Sequence, residues 1–292
     1  MSSAGRNRAL ARRAARSSYG FTRWRLLRRW ERAEGTPIVV CSMGKTGSSA
    51  VYHAVRDRDL GPTYKVHMLA PSSISDAERL YRTTDRHARP QHVFQATHLS
   101  RHLPTPDAPW RLIAIVREPL AQAASEFFQA PERTGRLQSE ADVGAELQAF
   151  IRRHLPRSLS WFERELEPYT GIDVYGHTFD PTAGAATIRS PQADVLLMRT
   201  EDLDRSADEL GRFLALPGPL PVAIENAAAD KGHGDLYRSV VHSIPVDPDL
   251  VEMACSSRLS RHFYLPAELE RARTHWLAPA PGQGPPLAPR SE

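Results

Sequence analysis

Residues 37–52 read Pro-Ile-Val-Val-Cys-Ser-Met-Gly-Lys-Thr-Gly-Ser-Ser-Ala-Val-Tyr, an unbroken apolar run that gives way to a Gly/Ser/Lys turn and then to helix-forming sequence. Apolar runs without polar alternation suit strands covered on both faces, as in a parallel sheet with crossover helices. The junction that follows can bind an anion. The first backbone N–H groups of a helix lack intrahelical partners, the dipole is positive there, and small residues let a phosphate approach. Lys45 adds a cation and Ser48 and Ser49 add hydroxyl donors. Lysine is scarce, with three in the whole chain, so its presence in this turn carries weight. Spacing excludes two named loops. A Walker A loop carries a Gly five residues before its Gly-Lys pair, and Val39 stands there. A tyrosine-phosphatase-type loop carries an Arg six residues after its Cys, and Gly47 follows Cys41 at that distance. Cys41 reads as a small buried residue closing the first strand.

A second junction of the same kind spans Arg111 to Phe128, with Arg117 at the strand end and Pro119 where a helix can start. Ser125 lies eight residues beyond Arg117, roughly two helical turns along. A guanidinium fork and a hydroxyl so placed can converge on one phosphate, and pairing of Arg117 with Glu118 or Glu126 is the competing arrangement. Strands are predicted at Pro37–Ser42, His92–Thr97, Arg111–Val116 and Asp194–Arg199. Helices are predicted at Ser48–Asp57, Pro119–Gln129, Ala141–His154, Ser158–Glu167 and Ala207–Leu214, the last opened by a Ser206/Glu209 capping box. The expected architecture is one α/β domain over residues 35–277, a central parallel sheet flanked by helices, with Pro131–Leu155 as a helical excursion over the site.

Residues 1–34 hold ten Arg against Glu31 and Glu34, so the net +4 of the chain becomes −4 (4 − 8) over residues 35–292. Without a broad positive footprint on the body, nucleic acid is not an expected partner. In the basic extension Phe21, Trp24, Leu27 and Trp30 alternate with arginines, which suits either docking on the body or peripheral contact with an anionic membrane surface. Residues 278–292 read as a Pro-rich flexible tail. Cys41 and Cys255 form no metal-ligand spacing, and no metal is expected. With no apolar run of membrane-spanning length, the expected location is cytoplasmic.

Lys-x-Gly-Ser-Ser after one strand, then Arg-Glu-Pro with a Ser eight residues after the Arg, resembles the sulfotransferase superfamily that uses 3'-phosphoadenosine 5'-phosphosulfate (PAPS). Trp161-Phe-Glu-Arg-Glu, Gly171-Ile-Asp-Val-Tyr, Phe179 with Gly184, Val195 to Leu203, Phe263-Tyr264 and Trp276 are similar in order to its bacterial capsular polysaccharide synthesis branch. The resemblance covers about residues 37–277 and implies a P-loop NTPase-like sulfotransferase fold. It gives Lys45, Thr46, Gly47, Ser48 and Ser49 to the 5'-phosphosulfate, with Lys45 on the leaving oxygen, and Arg117 and Ser125 to the 3'-phosphate. Thr97-His98-Leu99 is similar to the Thr-His-Leu of cytosolic sulfotransferases, which makes His98 the expected general base ahead of His67, His92, His102 and Glu126. Lys231 and Gly232, within Asp230 to Tyr237, resemble the Lys-Gly loop that closes on the 3'-phosphate. Two positions depart from the cytosolic pattern: Ala50 stands where a Trp often stacks on adenine, and Ala96 where a Lys often stands two residues before the base. Tyr52 is the aromatic nearest to the first of these.

The implied activity is sulfuryl transfer from PAPS to a hydroxyl of a carbohydrate, glycan or small metabolite, with no metal. Two other readings stay open. One is a nucleotide-dependent kinase with an irregular P-loop; the other is a non-catalytic capsule or envelope assembly factor that keeps the nucleotide site.

Overall fold

The computed structural model describes residues 36–83, 91–102, 110–128, 140–223 and 244–277. The basic segment 1–34, the Pro-rich segment 278–292, Lys231 and Gly232 lie outside the described residues. Among the described residues five strands, β1 (Ile38–Cys41), β2 (Thr63–Val66), β3 (Trp110–Val116), β4 (Ala185–Arg189) and β5 (Ala193–Arg199), form one sheet in the order β2-β1-β3-β5-β4. All pairings are parallel except β4 with β5. The helices are α1 (Ser48–Arg56), α2 (Pro71–Thr83), α3 (Gln91–His102), α4 (Pro119–Phe127), α5 (Glu140–Leu159), α6 (Glu167–Thr170), α7 (Ala207–Phe213), α8 (Pro248–Cys255), α9 (Arg258–Phe263) and α10 (Pro266–Leu277). A π-helix, Phe162–Leu166, lies between α5 and α6.

The continuous apolar runs of β1, β3 and β5 are explained by burial on both faces. Val39, Cys41, Leu112, Ala114, Val116, Val195 and Leu197 join Tyr64, Val66, Trp161, Phe162 and Phe263 in one core. Ile38, Val40, Ile113, Ile115, Leu196 and Met198 join Val51 and Val55 of α1 and Leu210 of α7 in another. A third cluster joins α4, α5, α8 and α10 through Leu120, Phe127, Leu147, Ile151, Val251 and Trp276. Each fully buried large aliphatic side chain contributes about 1.5–3 kcal/mol, so the sheet is anchored chiefly by its central strands. Among the described residues no helix is long and apolar enough to cross a membrane.

Four local expectations are corrected. His92–Thr97 is not a strand but the first half of α3, where Val93, Ala96 and Leu99 recur at helical spacing and are buried. Ser158–Glu167 is not one regular helix: α5 continues to Leu159 through Pro156, and the π-helix follows. The sheet is not wholly parallel, because β4 adds an antiparallel edge. The Ser206/Glu209 box does not form. Ser206 Oγ donates to the Asp202 carbonyl at 2.7 Å, while Glu209 accepts from Thr187 Oγ1 at 3.1 Å.

Strand order positions the site. From β1 the chain moves to β2 on one side and then to β3 on the other, so the order reverses between β1 and β3. In open α/β sheets, ligands bind beyond the carboxyl ends of the strands at such a reversal, where neighbouring loops diverge and leave a crevice.

Candidate anion-binding site at the sheet reversal

The loop Ser42 to Gly47 occupies that crevice end of β1. Lys45 and Gly47 both take left-handed backbone, with φ of 67° and 76°. Such turns gather successive N–H groups into an anion-binding concavity. Gly47 is required twice over, by its φ and because a Cβ there would come within 2.7 Å of Leu203 Cδ1. Thr46 is fully buried and its hydroxyl is used inside the loop, donating to the Met43 carbonyl at 3.0 Å and lying 2.9 Å from Ser42 Oγ. Its contribution to a ligand is therefore limited to its backbone. Ser48 is buried at the start of α1, and Ser49 is exposed beside it. Gly47 at the N-cap has no side chain to cap α1, and the first turn of α1 has no acidic residue. By contrast, Glu118 caps α4, Asp247 caps α8 and Ser257 caps α9.

The end of β3 meets this loop directly. Arg117 Nη1 donates to the Lys45 carbonyl at 3.0 Å, and Gln122 Nε2 donates to the Gly44 carbonyl at 2.9 Å. Thr200, just after β5, places its hydroxyl 3.0 Å from the carbonyls of both Thr46 and Val116. Glu118 and Glu126 are engaged elsewhere, Glu118 with the N–H groups of Leu120 and Ala121 and Glu126 with Gln122. Ser125 lies three residues beyond Gln122 on α4 and is half-buried. Lys45, Gly47, Ser48, Ser49 and Arg117 thus lie at one edge of the sheet. Gln122 and Thr200 were not read from the sequence; both act through main-chain carbonyls, a contact without a sequence signature.

His98 is placed differently from its expected strand end. It lies in the middle of α3, its ring stacked on Tyr64 of β2 with centroids 6.3 Å apart. Helix α3 runs antiparallel to β2: the His92 ring is 4.9 Å from the His67 ring, and Gln95 Oε1 accepts from the Lys65 N–H at 2.7 Å. Six residues of helix, about 9 Å along its axis, therefore separate His98 from the end of α3 that faces the site.

The histidine next to the loop is His67, the residue immediately after β2. Its Nδ1 lies 2.8 Å from the Ser42 carbonyl. A carbonyl only accepts, so Nδ1 carries the proton and Nε2 is left as the basic nitrogen. Burial, together with the nearby Lys65 charge, holds the His67 pKa below its ordinary value. Burial, with His67 and Lys65 close by, brings His92 down to about 4. Lys65, two residues before His67, donates from Nζ to Ser49 Oγ at 2.8 Å, and burial lowers its own pKa. The sequence signal for this pair was a rare lysine spaced two residues before a histidine at the end of a short alternating run.

Protein-family models, curated proteins and solved structures were compared with the chain, and none matched. Fold and site define an α/β protein with a mostly parallel sheet whose central reversal gathers uncapped amides, hydroxyls and cations.

Proposed function

We propose that this chain is a PAPS-dependent sulfotransferase that transfers a sulfuryl group to a hydroxyl of a carbohydrate, glycan or small metabolite. The observation that carries this reading is the contact of the Arg117 guanidinium with the Lys45 carbonyl, which joins the loop after β1 to the end of β3 at one sheet reversal. The amides at the start of α1, with the hydroxyls of Ser48 and Ser49, would receive the 5'-phosphosulfate. Arg117 and Ser125 would receive the 3'-phosphate.

In the transfer, a bond forms between the acceptor oxygen and sulfur while the bond from sulfur to the phosphate oxygen breaks. The acceptor's proton goes to His67 Nε2, and the Lys45 ammonium meets the charge left on the phosphate. In this reading the base is His67 in place of His98. Lys65 then stands two residues before it, the spacing common in cytosolic sulfotransferases and missing around His98.

The test is a thermal-shift comparison of the full chain in EDTA with adenosine 3',5'-bisphosphate, against ATP with Mg²⁺. Stabilisation by the bisphosphate in chelator, with no response to ATP and Mg²⁺, supports the donor assignment. The reverse pattern overturns it in favour of a kinase.

A further inference from the structure

The segment that carries His67 is held from behind by one element. Glu165, in the π-helix, is 1% exposed. Its Oε2 accepts from the N–H groups of Leu69 and Ala70, each at 2.9 Å, and its Oε1 accepts from Ser73 Oγ. These donors lie at the entry and first turn of α2, so a carboxylate 96 residues from Leu69 in sequence serves as the cap of that helix. Four residues before Glu165, Trp161 Nε1 donates to the His67 carbonyl at 3.1 Å. Burying a carboxylate is unfavourable unless its oxygens are hydrogen-bonded. Here both oxygens are used, and Arg164 Nη1 lies 3.4 Å away. π-Helices are rare and occur disproportionately at functional sites.

We propose that Glu165 and Trp161 are positioning residues for His67: they fix the main chain of residues 67–70, while the Ser42 carbonyl fixes the ring. The inference rests on the reading of His67 as the base. Among the described residues, the groups facing His67 are the Ser42 carbonyl from the β1 loop, the His92 ring from α3, Lys65 from β2 and Trp161, the residue immediately before the π-helix. Loosening residues 67–70 returns the ring to water and relaxes its contact with Ser42. Losing the Ser42 contact alone would lower the pKa, but burial is the larger influence, so its relief carries the pKa up toward the ordinary histidine value.

The experiment is an NMR titration of the full chain carrying ¹³Cε1-labelled histidine, with His67 assigned from the His67→Asn spectrum. Trp161→Phe keeps an aromatic ring in the core but removes the indole N–H that donates to His67 along with part of the buried ring, and it carries the test if Glu165→Ala does not fold. Both variants are expected to raise the His67 midpoint by about half a unit or more. Glu165→Gln keeps an oxygen for Leu69 and Ala70 and is expected to titrate close to the parent. Turnover is expected to fall about tenfold in Trp161→Phe, with affinity for adenosine 3',5'-bisphosphate unchanged. An unchanged His67 midpoint in a folded Trp161→Phe variant overturns the proposal. Failure of the parent protein to bind the bisphosphate would instead overturn the sulfotransferase reading, while a shifted midpoint would still establish the clamp.

Discussion

The guanidinium of Arg117 donates to the main-chain carbonyl of Lys45 at 3.0 Å, joining the loop after β1 to the end of β3. Neighbouring strands lie about 4.8 Å apart, so two loops leaving adjacent parallel strands in the same direction necessarily share an edge. Strand order does the rest. The crossover to β2 on one side and to β3 on the other opens a crevice between the loops.

Gly47 and Gly44 should respond differently to alanine. Gly47 has a φ of 76° and its Cβ would meet Leu203 at 2.7 Å, whereas nothing lies within 4 Å of a Cβ at Gly44. Gly47→Ala is expected to lose about 1 kcal/mol or more of stability. Gly44→Ala is expected to stay within about 0.5 kcal/mol of the parent. Urea unfolding of the two variants measures the contrast.

Turnover should rise with pH through the His67 midpoint and then level off, because a base works only when neutral. Burial depresses that pKa, so the rise falls below the ordinary histidine value of 6.5. His67→Asn is expected to lower turnover by about 10²- to 10⁴-fold and to remove the acid limb. His98→Ala is expected to keep it. A pH–rate profile of the variants decides between the two residues.

The same depressed values make the fold sensitive to acid. A histidine whose folded pKa lies below its unfolded value takes up fewer protons when folded, so stability falls as pH drops below 6.5. For His92 the loss continues down to its folded midpoint of about 4. His92→Gln should therefore melt with a shallower pH dependence between pH 6.5 and 4 than the parent, measured by calorimetry in matched buffers.

Arg199 closes β5 in a nearly dry setting. It is 3% exposed, pairs with Asp202 and Glu268, and donates to the Phe263 carbonyl at 3.1 Å. Arg199→Ala leaves Asp202 buried with Arg205 as its remaining ionic partner among the described residues, and it should cost about 3–5 kcal/mol. Because Thr200 follows directly and touches both Thr46 and Val116, the loop should loosen with it. Hydrogen exchange at Thr46 and Gly47 reads that effect.

Sequence patterning revealed the central strands and the helices that follow β1 and β3, because their side chains are buried on both faces or begin at a Gly or Pro signal. It failed where burial is partial or pairing is distant. Strand β2 offers only Tyr64 and Val66 as buried residues, and β4 is a half-exposed edge. In α3, Val93 and Phe94 side by side mimic a strand, although Ala96 and Leu99 complete a helical face. A strand at His92–Thr97 would put His98 at a strand end beside the loop, whereas the helix carries it along α3 away from that edge. The proximity of His67 to the loop arises only when β2 pairs beside β1, through partners such as Val40 with Lys65. Glu165 was equally hidden, since its partners lie 92 to 96 residues earlier in the chain.

Isothermal titration of adenosine 3',5'-bisphosphate into the full chain, in EDTA, tests the central claim most directly when repeated with Lys45→Ala, Arg117→Ala and the double variant. Each single change should weaken binding by about 10- to 100-fold, as expected for loss of a charged hydrogen bond of about 1.5–3 kcal/mol. The double variant should show no saturable heat. Equal affinity in all four proteins, or no binding to the parent, would contradict a nucleotide held between the ends of β1 and β3.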